Sequence, residues 1–364
     1  MGALTTIIIT VLVFGFLIFI HEFGHYITAR IFKVTINEFS IGMGPRIFSC
    51  DSKKTGIKYS LAALPIGGFV AMAGEDGMEE EDPFAPDDPN RFDRKPAWQR
   101  FIITLAGAFV NIVMGIIAMI ILTSLIKAGG SIKKVGGNTE IVQFVDGAEY
   151  GYEVSSRDFG LREGDIITAV DGKRVRILDQ LSYEIMRRGN KPIDVTVLRE
   201  GETLVIEDVV FPTLTEQGQS FGNMDFKVRA VDKTFGSVMR FSFSKSILII
   251  RMCWESLYDL ITGRYTIAAV SGPVGMSGAI SEAASEGAMT LLYLVGLISI
   301  NLGVMNLLPI PALDGGRLLT ILIEMITRKK LPPKIEGTIN AVGLSLLLAF
   351  SFFIMIKDIF QLLI

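Results

Sequence analysis

The sequence predicts a polytopic α-helical membrane protein of four transmembrane helices, with a β-rich region after the first and an α/β domain inserted after the second. Composition is the first reason: 50% of the 364 residues are hydrophobic and the mean hydropathy is +0.47, too apolar for an ordinary soluble protein. The second is that four stretches can cross a bilayer, which takes roughly 20 apolar residues. The third is a strand and helix alternation between the second and third stretches.

The four apolar stretches are expected to be membrane spans, and the first is expected to be retained. No basic segment precedes it and no small-residue cleavage pattern follows it, which distinguishes it from a secretory signal peptide. The spans are predicted at about Ala3–Ile27, Phe101–Ile126, Met289–Leu308 and Ile339–Leu363.

Basic residues near the span ends predict the orientation of the chain in the membrane. They concentrate in the loop between spans one and two and in the loop between spans three and four, whereas the N-terminal tail has none. We therefore expect both termini to be extracytoplasmic. The two cysteines, Cys50 and Cys253, are then expected on opposite sides of the membrane and in structural roles. The net charge of -3 gives no indication of nucleic-acid binding.

The first cytoplasmic loop is predicted to hold a small membrane-associated sheet followed by a linker. Its first part is rich in β-forming residues and glycine, and its second part is acidic and proline-rich, which is typical of a flexible segment. Short strands are predicted at Ile36–Ser40, Arg46–Phe48, Ile57–Leu61 and Gly68–Met72, with turns at 42–45 and 53–56.

The region between spans two and three is predicted to contain a compact α/β domain. Residues 165–172 have the pattern of a strand that ends in a turn, and residues 179–188 have helical spacing. Ile193–Arg199 and 203–209 are expected to form a strand pair, and 235–260 is amphipathic and suited to the membrane surface.

The chemistry is expected at the only two histidines of the chain, His21 and His25, which form an H-E-x-x-H motif with Glu22. On a helix, residues four apart lie on one face, so both imidazoles can bind one zinc ion while the glutamate handles the proton. The structural alternative is a pair of packed core histidines. The position of the motif at the end of a span favours the metal site.

A catalytic zinc needs a third protein ligand, and here it must be a carboxylate or a cysteine. Asp314 is the best candidate, because Pro309 and Pro311 must end the third helix just before it. A carboxylate in irregular backbone at membrane depth indicates function, although a loop aspartate at the membrane exit is the structural alternative. Glu324 and Cys253 are weaker alternatives for the third ligand.

With zinc in place, Glu22 is expected to take a proton from water and to deliver it to the leaving amine. Asn306 is expected to donate a hydrogen bond to the substrate backbone or to the oxyanion, with a helix-end cap as the structural alternative. Asn301 is a second asparagine of this segment, and its role is left open.

A substrate helix shields its own carbonyl groups, so the substrate must reach the zinc in an extended form. An exposed strand edge can pair with an unwound peptide by strand addition. The edge expected to do this is Gly68–Met72, and a purely structural hairpin is the alternative.

Six motifs spread over nearly the whole chain fit one family: 21–25, 41–45, 64–70, 95–100, 271–275 and 306–316. Through them the chain resembles the site-2 proteases, which are intramembrane zinc metalloproteases. Within that family it resembles the bacterial RseP/RasP-like group, which carries PDZ domains between spans two and three. This chain has room for one such domain, with 160–167 in the position of its A-G-L-x-x-G-D-x-I motif.

The resemblance implies a protease of the bacterial plasma membrane that cuts transmembrane segments of single-span proteins, with its zinc site toward the cytoplasm. The implied substrates are anti-sigma factors already trimmed by an upstream site-1 protease, and remnant signal peptides. The PDZ-like domain is then a size filter or substrate gate. The implied site residues are the zinc ligands His21, His25 and Asp314, the base Glu22, and the substrate-binding residues Asn306, Gly68, Phe69, Val70, Gly42 and Gly44.

One departure from the family lies in the second span, where Ala108 follows Gly107 and the family often has proline. We expect it to affect a helix kink and not the zinc site.

The sequence predicts nine consecutive segments. They are the first transmembrane helix with the motif (1–34), the β region (35–73), the acidic linker (74–96), the second helix (97–127), the PDZ-like domain (128–215), the amphipathic surface region (216–288), the third helix with the aspartate motif (289–316), a cytoplasmic loop (317–338) and the fourth helix (339–364).

Two other classes of function compete with proteolysis. A membrane adaptor would use the PDZ-like domain to bind partners and would hold only a structural metal, which needs no base such as Glu22. A metal transporter would need ligands spread along a path, whereas this sequence offers one cluster.

Overall fold

The computed structural model describes residues 2–75, 88–125, 131, 133–145, 154–188, 191–216, 219–264 and 270–363. The chain divides into two compact units, a first unit of residues 1–118 and 249–364 and a second unit of residues 119–248. The most acidic part of the predicted linker, residues 79–82, lies outside the described residues.

Four helices in the described part of the chain are long and apolar enough to cross a membrane, in agreement with the four predicted spans. The first continues four residues past its predicted end and the second begins four residues before its predicted start, because polar residues at these boundaries continue the helix. The third ends at Asn306, before the two prolines. The helices are α1 Ala3–Ile31, α2 Ala97–Leu125, α3 Leu178–Arg188, α4 Phe235–Ile261, α5 Pro273–Glu286, α6 Ala288–Asn306, α7 Asp314–Thr327 and α8 Pro333–Leu363.

Two of these helices were not predicted from the sequence. Helix α5 begins at Pro273, which suits a first helical position because proline has no N–H to lose there. Helix α7 begins at Asp314 directly after the Pro-rich loop, so the predicted loop aspartate is the first residue of a helix. The sequence signal of α7 is short, and it follows two prolines that indicate a loop.

The β region forms two long antiparallel strands, β1 Ile36–Asp51 and β2 Lys58–Met72. Each strand bends and pairs twice: Tyr59 lies opposite both Phe39 and Cys50, and Phe39 also lies opposite Val70. The four predicted strand segments therefore lie side by side in the order 46–51, 58–61, 36–41 and 68–72. The predicted turn at 42–45 is instead continuous strand, bent where Gly42 and Gly44 take positive φ angles of 88°.

One face of this sheet packs on the first helix. Tyr26 of α1 stacks edge-on against Phe39 with ring centroids 5.4 Å apart, and its hydroxyl lies 2.8 Å from that of Tyr59. Phe92, from the end of the predicted linker, is buried in the same cluster. Residues 88–96 are therefore folded against the sheet, because Phe92 supplies an apolar anchor to an otherwise polar segment.

The second unit contains an antiparallel sheet with strand order β10-β3-β4-β6-β7, and β5 pairs with β4. Its core is an apolar cluster in which Leu181 and Ile185 of α3 pack on Ile167, Val195 and Val197 of the sheet. The sheet continues past the predicted boundary at residue 215, since β10 pairs with β3. The strands are β3 Lys134–Phe144, β4 Ile166–Val170, β5 Lys173–Arg174, β6 Ile193–Arg199, β7 Glu202–Val209, β8 Thr213–Glu216, β9 Gln219–Gly222 and β10 Phe226–Asp232.

Candidate metal centre

Helix α1 presents both histidines on one face. The Nε2 atoms of His21 and His25 are 3.3 Å apart, as expected for residues one helical turn apart whose rings turn toward a shared point. Helix α2 crosses α1 closely here, because a Cβ at Gly24 would collide with the backbone of Ala106. The close crossing places the imidazoles against the second helix.

The third predicted ligand reaches this point through the Pro-rich loop. The loop doubles back on the start of α7, so that a Cβ at Gly315 would overlap the backbone of Leu307 and Leu308, and one at Gly316 would overlap Ile310. Only glycine fits these two positions. The two glycines after Asp314 therefore let the loop fold tightly enough to direct that side chain toward α1.

Three ligand atoms converge at almost equal distances. Oδ2 of Asp314 lies 3.2 Å from Nε2 of His21 and 3.3 Å from Nε2 of His25, and the two Nε2 atoms are themselves 3.3 Å apart. Zinc–ligand bonds of about 2.0–2.1 Å in a tetrahedron separate two ligand atoms by about 3.3–3.4 Å. The triangle of side-chain atoms thus has the dimensions of three corners of a zinc tetrahedron.

Hydrogen bonding shows that this group of atoms fits a cation. Nδ1 of His25 lies 2.9 Å from the carbonyl oxygen of Ile103 and donates its proton to it, so in the neutral imidazole Nε2 keeps its lone pair. Oδ2 of Asp314 is buried and has no hydrogen-bond partner among the described residues. Lone pairs that converge without donors repel one another unless a positive ion lies between them.

The ring of His21 is held by asparagine amides. The side-chain amide of Asn111 on α2 is 3.2 Å from Nδ1 of His21, and that of Asn306 is 3.5 Å from the same atom. In the structure the amide nitrogen Nδ2 of each asparagine faces Nδ1. When Nε2 binds a metal, Nδ1 carries the proton, and an amide turned by 180° presents the oxygen that accepts it. Asn306 was predicted to contact substrate, and the structure places its amide beside the His21 ring.

The second span contributes more than the sequence analysis expected. A Cβ at Gly107 would collide with the imidazoles of His25 and His21, and Asn111 is fully buried against His21. The expectation that Ala108 affects a helix kink and not the zinc site stays a prediction. Its neighbours Gly107 and Asn111 were not predicted to lie against the histidines. The physical reason is the close crossing of α1 and α2, which no local pattern reveals.

Glu22 lies between the histidines and the β region. A Cβ at Gly68 would come within 3.0 Å of Cγ of Glu22 and 2.9 Å of Ile18, so the strand backbone at Gly68 contacts the helix directly. Residues 68–72 pair with 36–41 on one side, and within the described ranges no strand pairs with their other side. A strand edge therefore runs past the glutamate.

The other residues predicted for substrate binding lie along the same segments. Phe69 is 37% exposed, whereas Val70 is buried in the cluster under the sheet, so the strand alternates between its two faces. Gly42 follows Ile41, the residue opposite Gly68, and both Gly42 and Gly44 lie at the bend of the strand. These residues lie at the end of the sheet that faces Glu22 of α1.

The alternative third ligands lie elsewhere. Oε1 of Glu324 accepts a 2.5 Å hydrogen bond from Arg100, which occupies that carboxylate. In the described part of the chain, His21, His25 and Asp314 form the one group of three potential metal ligands, and Cys253 is not a member. Asn301 has a buried Oδ1 without a hydrogen-bond partner and is not among the groups that contact His21 or His25.

Comparison with known proteins identifies the family. Residues 9–350 match peptidase family M50. A protein of Fusobacterium nucleatum named as a zinc metalloprotease is 35% identical over 362 residues, which covers 98% of this chain and 99% of that protein. The chain belongs to peptidase family M50.

Two further relatives of this family are similar over most of their length. A Clostridium perfringens protein, also named as a zinc metalloprotease, is 32% identical over 97% of this chain and 98% of that protein. The regulator of sigma-W protease RasP of Bacillus subtilis is 27% identical over 97% of this chain and 98% of RasP. The resemblance to the site-2 proteases is thereby confirmed.

Family membership establishes the class of enzyme. The M50 chain is a zinc-dependent metalloprotease of the site-2 type, and its four apolar helices make it an intramembrane protein of a bacterial inner membrane. The converging lone pairs on α1 and α7 fit the zinc on which this family depends.

Proposed function

We propose that this metalloprotease hydrolyses peptide bonds within the transmembrane segments of single-span membrane proteins, at a zinc ion held by His21, His25 and Asp314. The observation that carries the proposal is the triangle of ligand atoms with sides of 3.2 and 3.3 Å, beside Glu22 and an unpaired strand edge. The proposed zinc ligands, the proposed base Glu22 and the strand edge that would pair with substrate then lie beside one another.

The chemistry follows from the residues around the triangle. Zinc, when bound, supplies Lewis acidity to the scissile carbonyl and acidifies water. Glu22 takes the proton from the attacking water and passes it to the leaving nitrogen. The amide of Asn306 holds the His21 ring in the free enzyme and is near enough to the ligands to donate to a substrate carbonyl.

The strand 68–72 provides a way to present an unwound substrate. Its unpaired edge offers backbone N–H and C=O groups that a stretch of substrate can pair with, which replaces the hydrogen bonds lost when the substrate helix unwinds. Gly68 brings this edge against Glu22, and the exposed Phe69 contacts the substrate side chains.

The basic loops and the α/β domain are proposed to set the orientation of the chain in the membrane and the access of substrates to the zinc site. The basic loops support a topology with both termini extracytoplasmic and the zinc site toward the cytoplasm. The α/β domain of the second unit is PDZ-like in our proposal, with Asp165 tying the 160–167 segment through a 2.7 Å bond from Arg199. It acts as a filter that admits only substrates with a short extracytoplasmic part.

Substrates of this kind arise when an upstream site-1 protease has already removed most of the ectodomain, or when a signal peptide is left in the membrane. Trimmed anti-sigma factors are one such class, and this choice is supported by the likeness to a relative named regulator of sigma-W protease. Both kinds are single-span chains with short extracytoplasmic ends.

The test is cleavage of a tagged single-span substrate, already trimmed, by the native enzyme and by Glu22→Gln in the same membranes. We expect a shortened product with the native enzyme and a rate about 10²- to 10⁴-fold lower with the variant, because the base is lost. Equal product from both would contradict Glu22 as the base.

The ligand assignment is tested by metal content. Asp314→Asn is expected to lose zinc on purification, whereas Glu22→Gln is expected to retain it, since only the aspartate holds the ion. Full zinc and full activity in Asp314→Asn would exclude Asp314 as a ligand. Full zinc with no cleavage by the native protein of any trimmed substrate would favour the adaptor function.

A further inference from the structure

A cavity with polar walls lies within the α/β unit, far in sequence from the metal ligands. It has a volume of about 920 Å³, within the range of cavities that hold small ligands. Its walls come from strands β3 to β7, the turn after β4, the end of β10 and the first turns of α4. Nothing in the proposed proteolytic chemistry uses this cavity.

The charge of the cavity is one-sided. Arg174, Arg176 and Arg240 all line it, and among the described residues no aspartate or glutamate does. Each of the three arginines is exposed, and among the described residues none has a carboxylate within ion-pair distance. Three guanidinium groups around one cavity favour an anion, and guanidinium matches phosphate oxygens with paired hydrogen bonds.

Two carboxylates that adjoin lining residues in sequence are already engaged. Asp232, next to the lining residue Val231, is 2.8 Å from Nζ of Lys134. Glu140, next to the lining residue Thr139, is 2.6 Å from Arg229. Asp232 and Glu140 are therefore not free to neutralise the arginines of the cavity.

The cavity also lies at the end of a membrane span. Phe241 lines it and packs in one cluster with Ile120 of α2. Nζ of Lys233, two residues after Val231, lies 2.9 Å from the carbonyl oxygen of Ser124 at the end of that helix. Helix α2 has 29 residues and is about 43 Å long, whereas the hydrocarbon core is about 30 Å thick, so its end reaches the headgroup layer.

We infer that this cavity binds the phosphate headgroup of an anionic phospholipid through Arg174, Arg176 and Arg240. The shared chemistry is a phosphate ester, and the position of the cavity beside the end of α2 selects a lipid over a free phosphate. A bound lipid would fix the α/β unit against the membrane surface. The inference does not rest on the proposed proteolysis.

The test uses the full chain purified in detergent and depleted of lipid. Native mass spectrometry counts bound lipids during titration with phosphatidylglycerol or with phosphatidylcholine of the same acyl chains. We expect at least about tenfold tighter binding of phosphatidylglycerol. The triple variant Arg174→Gln, Arg176→Gln, Arg240→Gln is expected to lose this preference.

A charge-matched control removes three exposed cations elsewhere in the same unit, Arg162→Gln, Lys191→Gln and Lys227→Gln. It should keep the preference for phosphatidylglycerol. Loss of the preference in this control, or its retention in the triple variant, would overturn the assignment. A melting curve shows whether the triple variant is folded, and the single variant Arg240→Gln gives an intermediate affinity if the three act together.

Two competitors separate the sources of the anion. Inorganic phosphate that binds as tightly as the lipid would assign the cavity to a free phosphate and not to a membrane lipid. A hexa-alanine peptide with a free carboxylate that displaces phosphatidylglycerol would assign it to a peptide end. Weak competition by both, with the lipid preference intact, supports the headgroup site.

Discussion

At the scale of single residues, the centre depends on how each ligand is held as well as on the ligand itself. His25 is oriented by a backbone carbonyl, whereas His21 is oriented by the side chains of Asn111 and Asn306. A side-chain partner can be changed by mutation, which makes the hydrogen bond to His21 testable.

Asn111→Leu is expected to weaken zinc binding about 10- to 100-fold, because Nδ1 of His21 then keeps only the more distant amide of Asn306 to fix its ring. Asn111→Asp keeps an acceptor at the same place and should retain the metal. The measurement is zinc content after dialysis against a chelator of graded strength. Equal retention by the leucine and aspartate variants would show that Asn111 only fills space.

At the scale of elements, the strand 68–72 is packed directly on helix α1, because the backbone at Gly68 contacts Glu22 and Ile18. Any side chain at residue 68 must push the strand away from the helix. The strand edge and the base would then no longer be in register with a bound peptide.

Gly68→Ala is expected to lower turnover about 100-fold while zinc is retained, since a shift of about 1 Å at the reacting groups has that effect. The matched control is Gly15→Ala, because no atom lies within 4 Å of a Cβ built at Gly15 on the same helix. Turnover by the trimmed-substrate assay and zinc content are measured together. Unchanged turnover in Gly68→Ala would argue against strand addition at this edge.

The first sheet contains a buried carboxylate, Glu38, that makes the stability of the sheet depend on pH. Glu38 accepts hydrogen bonds from Arg46 at 2.8 and 2.6 Å and from Ser60 at 2.5 Å. The guanidinium of Arg46 lowers the pKa of Glu38 below its ordinary value of 4.5, burial opposes the shift, and Ser60 adds to it. A lowered folded pKa contributes stability above the unfolded value, and this contribution is lost as the pH falls through the folded value.

We therefore expect Glu38→Gln to melt at a lower temperature than the native protein at pH 7. Below about pH 4.5, the melting temperature of the native protein is expected to fall more steeply than that of Glu38→Gln. Glu202→Gln, at an exposed hairpin, is the control and should follow the native protein. The same pH slope in Glu38→Gln and the native protein would show that this ion pair does not link the sheet to pH.

At the scale of the whole molecule, the surface of the first unit suits a lipid environment. Large apolar side chains on α1 and α8 are exposed, such as Leu12, Ile7, Leu346 and Phe352. This pattern is expected where hydrocarbon and not water surrounds a helix. It places the spans in the bilayer but does not fix which end faces the cytoplasm.

The proposed orientation is tested with Cys50, which is exposed on the first sheet. In a Cys253→Ser variant, a membrane-impermeant maleimide is expected to label Cys50 only after the cells are permeabilised, because the proposed topology places the β region in the cytoplasm. A chain whose single cysteine is Lys191→Cys, on the α/β unit, should label in intact cells. The opposite pattern would invert the topology.

The substitution of Cys253 is also justified by its surroundings. Burial raises the pKa of the Cys253 thiol, so this thiol would react slowly with maleimide. Its slow labelling would be added to the signal from Cys50. Labelling of both Cys50 and Lys191→Cys in intact cells would mean that the membrane was leaky, and a cytoplasmic reference protein detects this.

The sequence by itself determined the spans and the histidine pair, and it singled out Asp314 as the best candidate for the third ligand. A run of about 20 apolar residues has few alternatives to a membrane helix, and a motif with fixed i, i+4 spacing carries its own geometry. Strand segments of the first sheet were also predicted, because alternation and glycine positions are local signals.

The tertiary structure alone decided what surrounds these residues. Gly107 and Asn111 contact the histidines only because two helices cross closely, and α7 begins at Asp314 only because the loop before it folds back on Gly315. The arginine cavity likewise joins residues from distant segments. Contacts between segments far apart in the chain depend on packing, and packing leaves no periodic signal in the sequence.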